Sequence, residues 1–298
     1  MICGPTAAGK SGLAIALAEY FRLAIVSADS RQVYRGFDVG TAKPTPDARR
    51  RVRHYGIDVV EPTDRYSAAA WATAARAWIH EASASDTVPV VVGGTGFYLR
   101  AMANPLFPEP PHDERRRHAL QRYLGSRPTP ELARWVRALD PSRLHGGRAQ
   151  LLRAIEVALL TGVPLSEWHR RTTGGPPLAP RYLVLDPGPA LQDRISHRVA
   201  DMLAGGWTEE TKRLAACVPP EAPAWSATGY ATMRRYVRGE LSRRAALERI
   251  TVDTRRYAKR QRTWFRHQLP PAAVTPLDPT RPDALERATA WWMEGDGT

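Results

Sequence analysis

Along the first hundred positions, short apolar runs alternate with stretches of helical spacing. Residues 11–21 (SGLAIALAEYF) place apolar side chains at helical intervals, and Leu23-Ala24-Ile25-Val26 follows as an unbroken apolar run. That run predicts a fully buried parallel strand ending at Ser27-Ala28-Asp29-Ser30, and residues 57–60 (IDVV) predict another short strand. Ser67 is placed to cap an Ala/Trp-rich helix that reaches Ala84. Val88-Pro89-Val90-Val91-Val92 reads as the next buried strand, closed by Gly93-Gly94-Thr95-Gly96.

Alternating helices and uninterrupted apolar strands predict a parallel α/β sheet flanked by helices. The rhythm stops at residues 105–111 (PLFPEPP). From 112 to 171 the pattern is helical and arginine-rich with no strand signal, and 172–180 is a Gly/Pro loop. Tyr182-Leu183-Val184-Leu185 returns as a strand, after which the chain is expected to end in helices. The expected organisation is a P-loop NTPase-like α/β core, residues 1–111 and 181–298, with a helical insertion at 112–180.

Composition narrows the class. With 43% hydrophobic and 24% charged residues among 298, the chain is globular rather than disordered. No apolar run approaches the roughly 18 residues a bilayer span needs, and no charged-then-apolar leader is present, so a cytoplasmic protein without membrane association is expected. Only Met1-Ile2-Cys3 precede Gly4, which predicts a clipped first strand and a start further upstream. Cys3 and Cys217 stand far apart without His or Cys at ligand spacing, so free, buried thiols are expected rather than a disulfide or a zinc site.

The net charge of +13 changes the picture further. Lysine occurs only at 10, 43, 212 and 259, so nearly all of the 43 basic residues are arginines. A coding bias towards Arg, Ala and Pro explains arginine standing in for lysine, but not the surplus of positive over negative charge. A polyanionic partner is expected.

The candidate chemistry begins at Gly4-Pro5-Thr6-Ala7-Ala8-Gly9-Lys10-Ser11, which satisfies the phosphate-loop pattern G-x-x-x-x-G-K-[ST] at a strand-to-helix junction. Small residues let backbone N–H groups face a phosphate, Lys10 adds charge, and Ser11 can reach a Mg²⁺ ion. A nucleotide hydrolase usually carries a second strand ending in an Asp that holds the metal. Here the strand 88–92 ends in glycines and Thr95, and the strand that leads to an acid is 24–26, reaching Asp29. Carboxyl ends of parallel strands line one crevice, so Asp29, Thr95 and the loop are expected to converge. Asp29 there suits a general base; a helix N-cap at Asp29 or Ser30 is the alternative. Gly40-Thr41-Ala42-Lys43-Pro44, Arg194 with Arg198, and the segment 254–266 (TRRYAKRQRTWFR) read either as phosphate contacts or as solvated faces.

Taken together, GPTAAGKS at 4–11, SADSRQVYRGFDVGTAKP at 27–44, VVVGGTGFYLRA at 90–101, RAIEV at 153–157, GY at 229–230 and AKRQRTWFR at 258–266 resemble the bacterial tRNA dimethylallyltransferase (tRNA isopentenyltransferase) family. The stretches run in family order over nearly the whole chain. The resemblance implies transfer of a dimethylallyl group from dimethylallyl diphosphate to N6 of the adenosine 3′-adjacent to the anticodon, position 37, in tRNAs that read codons beginning with U. It implies Mg²⁺ as cofactor and a monomeric chain. Gly4, Pro5, Thr6, Ala7, Ala8, Gly9, Lys10, Ser11, Arg194 and Arg198 would bind the diphosphate. Asp29 would be the base, with Thr6, Thr95 and Arg198 completing the catalytic set.

By the same resemblance, tRNA contacts fall on Asp29, Ser30, Arg31, Gln32, Thr95, Ala149, Gln150, Arg153, Ser226, Gly229 and Tyr230, and the helical insertion grips the anticodon arm. The departures lie among these contacts: Gln150 replaces a usual arginine, Ser226 a usual Gln or Arg, and Gly146-Gly147-Arg148 a more polar turn. Three other readings compete. A small-molecule P-loop kinase leaves the positive surplus unused, and a non-catalytic RNA-binding module is opposed by intact Lys10, Ser11 and Asp29. An isopentenyltransferase acting on free adenine nucleotides would not need the helical insertion.

Overall fold

A computed structural model describes residues 1–104, 113–171 and 177–295. The chain divides into two compact units, Met1–Ala103 with Leu178–Thr298, and Asn104–Pro177. The proline-rich stretch 105–111 and positions 172–176 of the Gly/Pro segment lie outside the described residues.

In the first unit, β1 (Ile2–Cys3), β2 (Leu23–Ser27), β3 (His54–Tyr55), β4 (Val88–Gly93), β5 (Tyr182–Leu185) and β6 (Val274–Leu277) form one sheet in the order β3-β2-β4-β1-β5-β6. Every pairing is parallel. The two-residue β1 sits in the middle, with Ile2 opposite Val92 on one side and Leu183 on the other. β2 is buried at all five positions, as an apolar run covered on both faces should be.

Four helices complete the first part of the chain: α1 (Lys10–Leu17), α2 (Pro46–Arg51), α3 (Ala68–Ala84) and α4 (Gly96–Ala103). Ser67 caps α3, its hydroxyl accepting from the Ala70 N–H. From α3 the buried Trp71 donates its Nε1–H to the Ser27 carbonyl at 3.0 Å and stacks on Tyr98 at 4.7 Å between centroids. This fastens the carboxyl end of β2, from which the candidate site projects.

The second unit is helical: α5 (Glu114–Gly125), α6 (Thr129–Leu139), α7 (Arg148–Thr161) and α8 (Leu165–Arg171). Leu124, Leu132, Val136, Leu151, Ile155 and Leu165 form its core. Within that core Glu156 accepts from Gln121 Nε2 at 2.6 Å and pairs with Arg117 and Arg153.

The chain re-enters the first unit through β5 and continues with α9 (Leu191–Ala204), α10 (Trp207–Cys217), α11 (Tyr230–Val237), the 26-residue α12 (Arg243–Gln268) and α13 (Ala284–Met293). Side chains of α1 and α13 share one core with the sheet, among them Leu17, Ile25, Leu183, Ala288 and Trp292. No described helix is long and apolar enough to cross a membrane.

Four expectations need correction. Residues 57–60 are not a strand: β3 lies earlier, at His54–Tyr55, and the left-handed Gly56 (φ +77°) and Asp58 (φ +56°) break extended geometry, leaving Val60 one isolated bridge to Tyr34. The chain does not end in helices alone, because β6 adds an edge strand whose Pro276 disguised it; proline is tolerated at a sheet edge. α1 stops at Leu17 rather than residue 21, and Phe21 turns to stack on Trp292 at 5.4 Å. Cys3 is buried but Cys217 is exposed, at the last residue of α10.

Replacing Trp71 with Ala removes a fully buried ring and the hydrogen bond to Ser27. The expected loss of unfolding free energy is about 3–5 kcal/mol, read as a lowered urea midpoint. A midpoint unchanged from wild type would show that the end of β2 is held by other contacts.

Candidate active site

Residues 4–9 leave the centre of the sheet where strand neighbours diverge to either side, the place at which open α/β sheets form a crevice. Gly4 takes φ +144°, and a Cβ there would stand 2.3 Å from the Leu185 carbonyl oxygen. Only glycine allows the loop to start so close to β5. Gly9, left-handed at φ +94°, begins α1 without any side-chain cap. The first-turn N–H groups of α1 therefore stay available to an anion.

A cavity of about 170 Å³ opens here, lined by the loop residues Thr6, Ala7, Gly9, Lys10 and Ser11 and by Asp29, Gly94, Arg198, Tyr257 and Gln261. A smaller cavity of about 70 Å³ shares Thr6, Asp29, Arg198 and Tyr257 and is walled by Val199, Met202, Trp207 and Ile250. The loop, Asp29 and Arg198 thus converge on one place. Thr95 lines neither cavity, and its hydroxyl accepts from the Ser30 N–H at 3.0 Å.

The cavity is electropositive. Lys10 Nζ donates to the Pro5 carbonyl at 2.7 Å, and burial, with nearby Arg198 second, pulls its ammonium down to about 8 while Asp29 opposes the shift. Burial likewise lowers Arg198 from its ordinary value, again against Asp29. Two cations therefore share one carboxylate. Asp29 uses Oδ1 to accept from the Arg31 N–H at 2.8 Å within a turn, not as a helix N-cap, since no helix begins there, and the same carboxyl lines both cavities. Arg194, one turn before Arg198 on α9, donates Nε–H to the Ala7 carbonyl at 2.9 Å and so props the loop's backbone.

Other predicted residues are distributed differently. Arg31 donates to Ser226 Oγ at 2.7 Å, a bond between two exposed side chains. Gln32 is buried, accepting from Ser27 Oγ at 3.0 Å and donating to the carbonyls of Thr41 and Ala42. Tyr230 is fully buried and gives its hydroxyl to Glu210 at 2.6 Å, while Gly229 supplies the left-handed turn that starts α11. Ala149, Gln150 and Arg153 lie on α7 of the helical unit; Gln150 Oε1 accepts from the Gly147 N–H at 3.0 Å and closes that helix's first turn.

The basic segments resolve into bracing and exposed residues. Lys43 of the Gly40–Pro44 stretch is neither a phosphate contact nor solvated: its ammonium is buried against Asp38, Asp58 and the Tyr34 carbonyl. In α12, Arg262 holds Asp186 and the Gly188 carbonyl, and Arg255 reaches Ser196. Arg256, Lys259, Arg260 and Arg266 are exposed.

Sequence reasoning missed two residues that α12 brings in. Gln261 accepts the Thr6 N–H at 2.8 Å and donates to the Gly94 carbonyl at 2.8 Å. Tyr257, one turn earlier, has its phenol pushed up to about 12 by burial and then by Asp29. The signal was present in the interleaved polar and aromatic residues of 254–266, but the arginines drew attention to charge instead.

Comparison with known proteins places this geometry. A family model described as IPP transferase matches residues 32–268, and one described as isopentenyl transferase matches residues 1–59. The chain is 41% identical to the tRNA dimethylallyltransferase of Thermosynechococcus vestitus, over 89% of this chain and 86% of that protein. The chain belongs to the tRNA dimethylallyltransferase family. It is 43% identical to the Rhodospirillum centenum member, over 96% of this chain and 93% of the other. Among solved structures it resembles the tRNA isopentenylpyrophosphate transferase of Bacillus halodurans (TM-score 0.69, 31% identity, 99% of this chain and 94% of that one). It also resembles a eukaryotic dimethylallyltransferase described as acting on tRNA (TM-score 0.80, 25% identity, 99% and 78%). As a member of the family, the chain is a prenyl-transferring enzyme.

The lowered Lys10 value has a measurable consequence. Below pH 8 Lys10 is charged and attracts an anion; above it the free protein has lost that proton, and binding must restore it. The last ionisation of an alkyl diphosphate, like the second of a phosphate monoester, is complete well below this range, its pKa being about 6. Methyl diphosphate should therefore bind roughly three- to tenfold more weakly at pH 9 than at pH 7.5, by calorimetry. Lys10→Met should bind more weakly throughout without that inflection. A flat wild-type profile would show that Lys10 is not titrating in the anion site.

Proposed function

We propose that this chain transfers the dimethylallyl group of dimethylallyl diphosphate to N6 of adenosine 37, 3′-adjacent to the anticodon, in tRNAs reading codons that begin with U. Diphosphate is released. The observation that carries this reading is the charge arrangement: Lys10 and Arg198 face one crevice beside a phosphate loop, with Asp29 the carboxylate that opposes them. The cations and the loop's N–H groups stabilise negative charge on departing diphosphate. As the C1–O bond breaks, N6 bonds to C1, and Asp29 takes the proton the amine gives up. Thr6 and Thr95 contact the reacting partners, and Arg194 keeps the loop in shape. The apolar wall of the smaller cavity offers the allylic group a dry surface.

Ser11 would hold Mg²⁺. Ser11 is an exposed residue that lines the crevice, and no group of three or more His, Cys, Asp or Glu gathers among the described residues to form an all-protein cage. That donor set fits an ion carried mainly by phosphate oxygens, the usual Mg²⁺ arrangement. When bound, the ion would neutralise part of the diphosphate charge.

The target base must leave its stack, at a cost of a few kcal/mol that is smallest in a single-stranded loop. Asp29, Ser30, Arg31, Ala149, Gln150, Arg153, Ser226 and Gly229 contact the tRNA, the buried Gln32 and Tyr230 hold the segments that carry them, and the helical unit grips the anticodon arm with its arginines. The enzyme works as a monomer in the cytoplasm.

Incubation with radiolabelled dimethylallyl diphosphate and unmodified tRNA, AMP and ATP as competing acceptors should place label on tRNA alone. Label confined to the free nucleotides would overturn the acceptor assignment. Asp29→Ala should lower kcat by about 10²–10⁴-fold while the donor still binds; near-normal turnover would remove Asp29 as the base. Arg198→Ala should weaken donor binding or slow the chemical step, and unchanged kinetics would exclude it from the clamp.

A further inference from the structure

One buried amide ties the diphosphate side of the crevice to its acceptor side. Gln261 is 7% exposed and lies on α12 with the buried Ala258 and Phe265, the polar member of an otherwise apolar stripe. Both ends of its side chain are used, and in opposite senses. Oε1 accepts from the Thr6 N–H in the phosphate loop, and Nε2 donates to the Gly94 carbonyl in the turn after β4, each at 2.8 Å. These partners lie 255 and 167 positions away in the chain.

The turn at Gly94 continues the connection. Thr95 accepts from the Ser30 N–H at 3.0 Å, next to Asp29. The Thr95 N–H in turn donates to the Ala28 carbonyl at 3.1 Å. Phosphate loop and glycine turn are thereby joined through the Gln261 side chain, and glycine turn and Asp29 segment through Thr95. The fit is close: a Cβ on Gly94 would stand 2.4 Å from Gln261 Nε2 and 3.2 Å from the Gly4 carbonyl oxygen. The bond to Gln261 also fixes which loop N–H groups face the anion, since that of Thr6 is already taken.

We propose that Gln261 is a positioning residue: its amide sets the separation between the donor's diphosphate cradle and the Asp29–Thr95 segment that receives the acceptor. The assignment rests on the transfer reaction proposed above. Gln261 makes no bond to a reacting atom; it acts through Thr6 and Gly94. Both bonds need an amide. A carboxylate of the same shape could still accept from Thr6 but would set a second oxygen against the Gly94 carbonyl. Protonation would restore that missing donor.

The test uses the full-length enzyme with dimethylallyl diphosphate and unmodified tRNA. Gln261→Met, equal in length but without either bond, should lose roughly ten- to a hundredfold in kcat, with KM for tRNA within twofold of wild type. Gln261→Glu should be similarly impaired at pH 8.5, and its kcat relative to wild type should recover as pH falls towards 6. A merely structural role would lower stability without that pH-dependent recovery. Hydrogen exchange supplies a readout independent of turnover: the Thr6 amide should exchange at least tenfold faster in Gln261→Met than in wild type.

Wild-type kcat in Gln261→Met would overturn the assignment, as would a pH-independent deficit in Gln261→Glu or unchanged Thr6 exchange. Should Gln261→Met fail to fold, the Gln261→Glu pH profile decides alone. A wild-type enzyme inactive on tRNA would sink the proposed reaction instead, leaving the Thr6 exchange result to judge the bracket.

Discussion

Holding two cations beside one carboxylate in a partly desolvated crevice is the constraint around which the first unit is built. Burial opposes the charged forms of both Lys10 and Arg198, and Asp29 compensates only in part. Such an arrangement costs stability when nothing else is present, because removing charge from water without full pairing is unfavourable. A dianionic ligand reverses the sign of that contribution. The surroundings must therefore keep the cations in place without neutralising them. Backbone does this for Lys10, anchored on the Pro5 carbonyl, while Arg194, one turn before Arg198, props the loop on the Ala7 carbonyl.

Elsewhere the same chain shows what satisfied buried charge looks like. Glu210 accepts from the N–H groups of Asp38, Val39 and Gly40 and from the Tyr230 hydroxyl, so one carboxylate fixes a whole loop. Lys43 is paired with two aspartates and a carbonyl, and Glu156 sits among Arg117, Arg153 and Gln121. In these places donors and acceptors balance and the charges act as fasteners. At Lys10 and Arg198 they do not balance. This contrast, rather than the presence of basic residues, separates the cations proposed to bind the ligand from the structural ones.

It also bears on how the positive surplus is used. Several arginines that look alike in the sequence are consumed in bracing: Arg255 on Ser196, Arg262 on Asp186, Arg49 on Asp58. Exposed Lys259, Arg260 and Arg266, in the second half of α12, remain as a basic face suited to phosphate backbone. Surface ion pairs within helices, such as Arg244 with Glu248, contribute little by comparison.

Much of the fold and part of the site were legible in the residues themselves. Uninterrupted apolar runs at 23–26, 88–92 and 182–185 become strands of a parallel sheet with both faces largely covered, although β4 starts at the surface, where Val88 is exposed. The phosphate loop is local: its glycines, Lys10 and Ser11 lie within eight positions, so spacing alone specifies the cradle. Asp29 was foreseen because strand ends of a parallel sheet share one edge. The rest depended on contacts between distant segments. The strand expected at 57–60 gave way to left-handed turns, and Pro276 concealed an edge strand that only its partner β5 makes stable. Lys43 and Gln32, polar and suggestive in sequence, are spent on buried bonds inside the loop they belong to. Gln261 and Tyr257 reach the crevice because a helix two hundred residues and more downstream packs across it, and periodicity carries no information about which partner a helix face will meet. The sequence by itself determined the strands and the local anion cradle. Which charges stay unsatisfied was decided only when the chain was packed.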